Sequence, residues 1–341
     1  MKSDFHIEPY FLPEAERILK SAPRGDWTFA LVTDSHLGDN RIHTCENIRW
    51  MDQFFQYGCL VHMGDFLCGT LPMRATQKVL QGEFTAFRQS TNAGRLFALQ
   101  GNHDGYSDEC YREGRYNHRD IIFDDMWYEM TGFMNCDPAL QRPGNKPYYF
   151  VDVPGQRLRM IFLCTNWYEY SEAYGIYRKR YGLDTMQLYW LAETALCVPQ
   201  KEWNVLLFSH IPLLRGIAST NQTGGQEAIE LLTAFRDGGI ALCGGKLYHF
   251  EPCGHHILAW CSGDGHGDLF AQQDGMHFVG IPCSLATVPL TWAQPMGYYP
   301  APRTIGTENE DAWDTVIWER ERQQLHFLRF GAGEDRTVCY L

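Results

Sequence analysis

The feature that most constrains this chain is a short apolar run that recurs along it and ends each time in polar, metal-competent residues. Residues 27–32 lead into Asp34-Ser35-His36, and residues 59–63 into Gly64-Asp65. Residues 96–99 lead into Gly101-Asn102-His103-Asp104, 204–208 into His210-Ile211-Pro212, and 257–261 into Gly263-Asp264-Gly265-His266. Apolar runs of this length, rich in Val, Leu, Ile and Phe, read as buried strands. Between them, residues 44–57, 74–93, 184–196 and 225–236 read as helices. Asp184 serves as the N-cap of the third, and Pro199 lies beyond its end. Alternating strands and helices predict an α/β protein with helix-covered sheets. Ligands bind such sheets at the carboxyl ends of the strands, so one shared site accounts for all these endings.

Two neighbouring cations need carboxylates and imidazoles, and an oxygen ligand that bridges them. Asp34 and His36, two apart at a strand end, project to the same side and can grip one ion. Asp65, behind a glycine at the next strand end, is the natural bridge. Asn102 offers a neutral carbonyl oxygen and His210 an imidazole for a second ion. Gly64 and Gly101 let the backbone come close where a Cβ would crowd. A single His at a strand end is most often structural, but His36, His103, His210 and His266 arrive as an ordered set. His62, inside an apolar run, reads instead as a core histidine.

Composition narrows the function classes. Lys and Arg number 29 against 41 Asp and Glu, a net charge of −12 that disfavours a nucleic-acid ligand. No stretch approaches the ~18 consecutive apolar residues of a membrane span. The 12 cysteines are scattered, no two closer than eight positions, so there is no zinc-ribbon spacing. With no secretory leader recognisable, reduced thiols and a cytoplasmic location are expected. There is no nucleophile elbow, dinucleotide fingerprint or Walker lysine.

The order DxH, GD, GNHD, H and a final GHxH-like element resembles the calcineurin-like metallophosphoesterase family, the superfamily of purple acid phosphatases and related phosphodiesterases. The resemblance spans roughly residues 27 to 270, and GNHD is its most specific piece. Gln187 and Trp190-Leu191 also resemble a packing element of the family. It implies a four-layer α/β/β/α sandwich of two mixed β-sheets flanked by helices. It further implies one metal on Asp34, His36, Asp65 and His266, and another on Asp65, Asn102, His210 and the residue at 264. His103 would be the general acid and Asp104 would orient it. The family pattern has a histidine where this chain has Asp264. Either Asp264 ligates directly, favouring a harder ion, or the frame slips by two and His266 and Asp268 are the ligands. Gly254-His255-His256 is a third candidate element, disfavoured because adjacent residues of an extended chain point to opposite faces.

The expected activity is hydrolysis of a phosphomonoester or phosphodiester, with attack by a hydroxide that bridges two metal ions (Mn, Fe, Zn or Ni) and His103 protonating the leaving oxygen. A small-molecule phosphoester is the expected substrate, with no membrane partner; no protein partner is indicated. Arg41, His43, Tyr106 and Asn166 are candidates for substrate contact. A metallophosphoesterase fold that serves as a non-catalytic scaffold is the competing reading. Residues 1–341 are expected to form one domain, with rim insertions at 106–149 and 167–181, and with C-terminal strands in 271–341 completing the second sheet. The segment 329–336 looks specific, and the sequence alone assigns it no chemistry beyond a tight turn with an ion pair.

Overall fold

The computed structural model describes residues 6–71, 73–105, 121–132, 137–173, 175–214, 223–287 and 302–340. Its helices are α1 (Leu12–Ser21), α2 (Arg41–Phe55), α3 (Met73–Arg88), α4 (Asp124–Thr131), α5 (Thr185–Trp190) and α6 (Gly225–Asp237), with a π-helical turn at Leu191–Ala195 continuing α5. The strands through the middle of the chain are β1 (Trp27–Val32), β2 (Leu60–His62), β3 (Leu96–Ala98), β4 (Leu140–Gln141), β5 (Tyr149–Asp152), β6 (Leu158–Leu163), β7 (Asn166–Ser171), β8 (Ile176–Tyr181) and β9 (Asn204–Ser209). They are followed by β10 (Gly239–Cys243), β11 (Lys246–Phe250), β12 (His256–Ser262), β13 (Leu269–Gln273), β14 (Met276–Gly280), β15 (Ala312–Glu319), β16 (Gln324–Gly331) and β17 (Arg336–Cys339).

Two large mixed sheets form the centre. The first is six-stranded in the order β17-β16-β15-β1-β2-β3, and the second seven-stranded in the order β13-β14-β12-β9-β6-β5-β4. Within the first, β1, β2 and β3 run parallel, with Val32 opposite His62 and His62 opposite Ala98. Within the second, β6, β9 and β12 run parallel, with Ser209 opposite both Leu163 and Ser262. These registers end the parallel strands level with one another, so the residues after them emerge along one edge of each sheet.

Aromatic side chains join the inner faces. Phe29 of β1 meets Phe208 of β9 edge-on at 6.0 Å between ring centroids, and Phe97 of β3 lies 5.6 Å from Phe162 of β6. The outer face of the second sheet buries Val205, Leu207 and Trp260 with Leu188 of α5 and Ile229, Leu232 and Phe235 of α6. α1, α2 and α3 contribute Ile18, Ile48, Met51, Leu80 and Phe84 to the other core, which is shared with the first sheet. Helices thus cover both outer faces, as the four-layer α/β/β/α reading requires. Asp184 caps α5 by accepting from the Gln187 N–H at 2.7 Å. The Gln187 side chain pairs with both backbone groups of Cys164, at 2.7 and 2.8 Å, and so anchors the helix to the end of β6.

The C-terminal strands divide differently from the expectation that 271–341 completes the second sheet. β13 and β14 do join that sheet, but β15, β16 and β17 extend the first, with Trp318 opposite Trp27. β1 would otherwise be an edge strand with an open ladder. β15 is buried along its whole length, and Trp313, Val316 and Trp318 belong to the core. Of residues 167–181, those in β7 and β8 form a separate hairpin, partly exposed. In the 106–149 segment, residues 106–120 and 133–136 fall outside the described residues, while α4 sends Trp127 and Tyr128 into the core.

Candidate metal centre

The site is built from the turns that leave the parallel strands. Backbone hydrogen bonds sew these turns together: the N–H of Asp34 donates to the Gly64 carbonyl at 2.9 Å, that of His36 to Asp65 at 3.0 Å, and that of Gly263 to His210 at 2.9 Å. Asp34, His36, Asp65, Asp264 and His266 all have φ between +47° and +59°. Non-glycine residues rarely adopt this left-handed region, and such strain collects at functional sites.

Side chains from distant parts of the sequence converge here. His266 Nε2 lies 3.2 Å from Asp34 Oδ1 and 3.4 Å from His36 Nε2. His36 Nε2 lies 3.6 Å from Asp34 Oδ1 and 3.7 Å from Asp65 Oδ2. On the other side of Asp65, its Oδ2 is 3.4 Å from His210 Nε2, which is 2.8 Å from Asn102 Oδ1 and 3.9 Å from Asp264 Oδ1. His103 Nε2 is 3.9 Å from Asp65 Oδ2, and its side chain retains 24% exposure, so it stands at the mouth of the cluster. The opposite ring nitrogens are committed: His36 Nδ1 to the Leu67 carbonyl at 3.1 Å and His210 Nδ1 to that of Met63 at 2.8 Å. With Nδ1 donating, Nε2 of each ring carries the lone pair when the imidazole is neutral.

Two observations show that the cluster fits metal ions. Asp34 Oδ1 and Asp65 Oδ2 are buried and accept no hydrogen bond, although both face imidazole Nε2 atoms. Buried carboxylate oxygens are costly unless compensated, and a cation compensates them. The glycines also leave no room for side chains. A Cβ on Gly101 would lie 2.0 Å from Asp65 Oδ1, one on Gly64 2.8 Å from His210 Nδ1, and one on Gly263 2.5 Å from Asp34 Oδ2. Imidazole, carboxylate and amide oxygen together suit Mn, Fe, Zn or Ni.

The electrostatics agree. Burial opposes ionisation of Asp34, but the imidazoles of His210, His266 and His36 outweigh it and hold its carboxyl well below the usual range. Asp65 is likewise held low, burial being overcome by His210, His103 and His36. Burial lowers the His36 and His210 imidazoles, yet Asp34 and Asp65 dominate and raise them to about 12 and about 10. The carboxylates therefore demand positive charge, which protons on His36 and His210 supply in the absence of ions.

Asp104 uses both oxygens on the backbone: Oδ2 accepts from the N–H groups of Asp65 at 3.0 Å and Gly101 at 2.8 Å, and Oδ1 from Leu67 at 3.0 Å. It therefore clamps the Asp65 turn to the GNHD turn. Burial and the Asp65 charge raise its carboxyl to about 7, while the amides favour its ionised form. His62 is a core histidine: it stacks on Phe66 at 3.5 Å, and burial lowers its ring to about 3. Its Nε2 lies 3.1 Å from Ser35 Oγ and its Nδ1 accepts from Gly64. Asp268 lies with Arg329 and Arg336 rather than in the imidazole cluster. His255 accepts from the Trp203 N–H and stacks on Phe235, a structural role.

Among the candidate substrate contacts, Arg41 pairs with Glu83, and His43 Nδ1 with Glu310 Oε1 at 2.6 Å. Tyr106 lies outside the described residues. Asn166 Nδ2 donates to the Gly101 carbonyl at 3.4 Å, beside the GNHD turn, and its buried Oδ1 has no hydrogen-bond partner. Residues without a motif also reach the centre. Thr33 Oγ1 donates to Asp34 Oδ2 at 2.5 Å, and Cys283 Sγ to the Asp34 carbonyl at 3.0 Å. No local pattern marks Cys283, which is brought in from the turn after β14.

Residues 28–245 match the model of the calcineurin-like phosphoesterase family. No similar sequence is found among curated proteins. Among solved structures, the chain is similar to a dimetal phosphatase from Danio rerio, at 14% identity over 93% of this chain and 100% of that one, with a TM-score of 0.58. It also resembles GAP50, the anchor in the inner membrane complex of Plasmodium, at 10% identity over 93% and 90% of the two chains, with a TM-score of 0.48. The dimetal phosphatase shares the fold, while the match over 28–245 covers the turns bearing Asp34, His36, Asp65, Asn102 and His210. On that match, and with those side chains gathered in one buried cluster, this chain belongs to the calcineurin-like phosphoesterase family.

Proposed function

We propose that this protein is a two-metal phosphoesterase that hydrolyses a small-molecule phosphomonoester or phosphodiester. One observation carries the reading: Asp65 Oδ2, buried and accepting no hydrogen bond, faces the Nε2 atoms of His36, His103 and His210, which come from three different turns. Asp65 would bridge the ions. Asp34, His36 and His266 would complete one ligand set, and Asn102, His210 and Asp264 the other. Ions held there supply Lewis acidity, polarising the phosphoryl oxygens and lowering the pKa of water toward ~7.

The chain's own groups do the rest. Asp104 and the backbone it clamps keep Asp65 and the GNHD turn in register, which supports positioning of His103. His103, partly exposed beside Asp65, is suited to deliver a proton from its ring to the leaving oxygen. Asn166, which donates to the Gly101 carbonyl, is suited to hold the GNHD turn in place. The net charge of −12 favours a small anion over a nucleic acid. Among the described residues no helix is long and apolar enough to cross a membrane. The scattered spacing of the 12 cysteines is what supports a reducing, cytoplasmic compartment.

The test pairs metal analysis of protein purified without chelator with hydrolysis of p-nitrophenyl phosphate and its bis ester in added Mn²⁺. Two ions per chain and turnover in the wild type, both lost in Asp65→Asn, is the expected result. No bound metal and no turnover with any of Mn²⁺, Fe²⁺, Zn²⁺ or Ni²⁺ would leave a non-catalytic scaffold instead.

A further inference from the structure

We infer that Cys283 is a sulfur ligand of the ion held by Asp34, His36 and His266, which makes one half of the centre thiophilic and the other oxygen-rich. The inference rests on the two-metal reading above and concerns which ions the site selects.

One ligand atom from each of His36, His266 and Cys283 lie within 4.8 Å of one another. One from each of Asp34, His36 and Asp65 do so as well, so the two groups share His36. Cys283 is fully buried, as is Asp34, whose Oδ1 accepts no hydrogen bond and lies 3.2 Å from His266 Nε2. The thiol itself donates to the backbone carbonyl of Asp34 at 3.0 Å, so it joins the cluster through the residue that carries this oxygen. A buried cysteine that merely fills space behaves as a small hydrophobe; the sulfur of this one lies within 4.8 Å of a nitrogen of His36 and of His266 and donates to the Asp34 backbone carbonyl.

The turn bearing Cys283 is fixed to the ligand turn. The N–H of Ser284 donates to the Thr33 carbonyl at 3.0 Å and that of Leu285 to Asp34 at 3.2 Å. Arg303 Nη1 holds the Cys283 carbonyl at 2.6 Å, and Asn40 Nδ2 the Ser284 carbonyl at 2.8 Å. The sulfur is thereby held beside the histidines by the same backbone that carries Asp34. On ligation the S–H proton, now donated to the Asp34 carbonyl, passes to solvent and the thiolate binds the ion. Thiolate and imidazole favour Zn²⁺, Co²⁺ or Fe²⁺, whereas the opposite half, with Asn102 and Asp264, offers oxygen donors that suit Mn²⁺ or Mg²⁺.

Cobalt tests this directly. Chelated, reduced protein is titrated anaerobically with Co²⁺ while the visible d–d bands report binding and the near-ultraviolet region reports thiolate-to-cobalt charge transfer. The expected result is a charge-transfer band in the wild type, kept in Cys68→Ala and lost in Cys283→Ser, with the d–d bands still present. Cys68 is the necessary control because its Sγ donates to the His36 carbonyl at 2.6 Å. Bound cobalt without a charge-transfer band, or a band lost in Cys68→Ala, would overturn the assignment of Cys283 and leave the two-metal reading intact. Failure to bind cobalt at all would instead overturn the two-metal reading. Should Cys283→Ser not fold, X-ray absorption of the zinc-loaded wild type and Cys68→Ala decides the question, since a zinc–sulfur shell at about 2.3 Å is expected in both and its absence refutes the inference.

Discussion

Arg329 Nη2 donates to Asp268 Oδ1 at 2.9 Å, so a strand of the first sheet holds the loop of the second sheet that carries His266. The same guanidinium donates from Nε to Asp314 Oδ1 at 2.8 Å and from Nη1 to the Ala332 carbonyl at 2.9 Å. Arg336 pairs with both carboxylates as well. This cluster gives the 329–336 segment its purpose: it pins two sheets together two residues from a candidate ligand.

Removing one member should therefore weaken both the fold and the ion site. Arg329 and Asp314 are fully buried, and breaking such a pair from one side typically costs ~3–5 kcal/mol. Arg329→Met should lower the urea midpoint by a corresponding amount and weaken ion binding through the freed His266 loop. Lys20→Ala, which breaks an exposed pair with Glu16, should stay within ~0.5 kcal/mol. Burial opposes ionisation of Asp314, but Arg329 and Arg336 hold its carboxyl low. Its stabilisation is present above the unfolded carboxyl's pKa and is lost as pH falls through the lower folded value. The stability gap between wild type and Arg329→Met should accordingly narrow on acidification.

Ion binding should release protons. With no ion present, Asp34 and Asp65 raise the His36 and His210 imidazoles, against burial, to about 12 and about 10. Both rings then carry protons near neutral pH, and an ion must displace them. The protons' own stabilising effect is complete below the unfolded histidine pKa and is lost as pH rises through the raised folded values. Ion affinity should rise with pH, and the melting-temperature gain on adding Mn²⁺ should grow between about pH 6 and about pH 9. Calorimetry in buffers of different ionisation enthalpy counts the protons. No release, or affinity falling with pH, contradicts these protonation states.

Gly101 is the most sensitive small residue of the site. A Cβ there would lie 2.0 Å from Asp65 Oδ1 and 2.1 Å from the Asp65 backbone nitrogen. Backbone cannot yield as a flexible side chain does, and crowding of this kind costs ~1–3 kcal/mol. Gly101→Ala should displace Asp65 and abolish binding of the second ion equivalent while the protein remains folded by circular dichroism. Gly94→Ala serves as a comparison for general glycine effects, because its Cβ would meet nothing within 4 Å, although its φ of +60° adds a backbone cost of its own.

Much of the centre could be read from the sequence because each ligand directly follows a strand. The apolar run at 27–32 coincides with β1, and parallel registers then bring Asp34, Asp65 and Asn102 to one edge. What could not be read were partners chosen by packing. The sequence marks strands in 271–341 but not their neighbours, and β15 joins β1 because β1, paired with β2 on one side, otherwise leaves its other edge open. Cys283 meets Asp34 across 249 residues and carries no motif. Arg329 was conspicuous in sequence, yet its carboxylate partners lie at 268 and 314, in different sheets' turns and strands. Asp104 was legible as part of GNHD, but its bonds to the amides of Asp65, Leu67 and Gly101 depend on how two turns pack.

The role proposed for His103 has a signature that a ligand or packing role would lack. A general acid contributes typically 10²–10⁴-fold, but only where the leaving group needs a proton. p-Nitrophenolate departs readily as an anion, whereas an alkoxide does not. His103→Ala should therefore lose little turnover on p-nitrophenyl phosphate and much more on an alkyl phosphate, while metal content stays at the wild-type value. Asp65→Asn provides the contrast: loss of a bridging ligand should lower both activities alike and the metal content with them. The His103 ring also stands edge-on 5.2 Å from that of His36, a contact that a packing role would share. Equal losses on the two substrates, with metal retained, would assign His103 to positioning and leave the leaving oxygen to be protonated by another group.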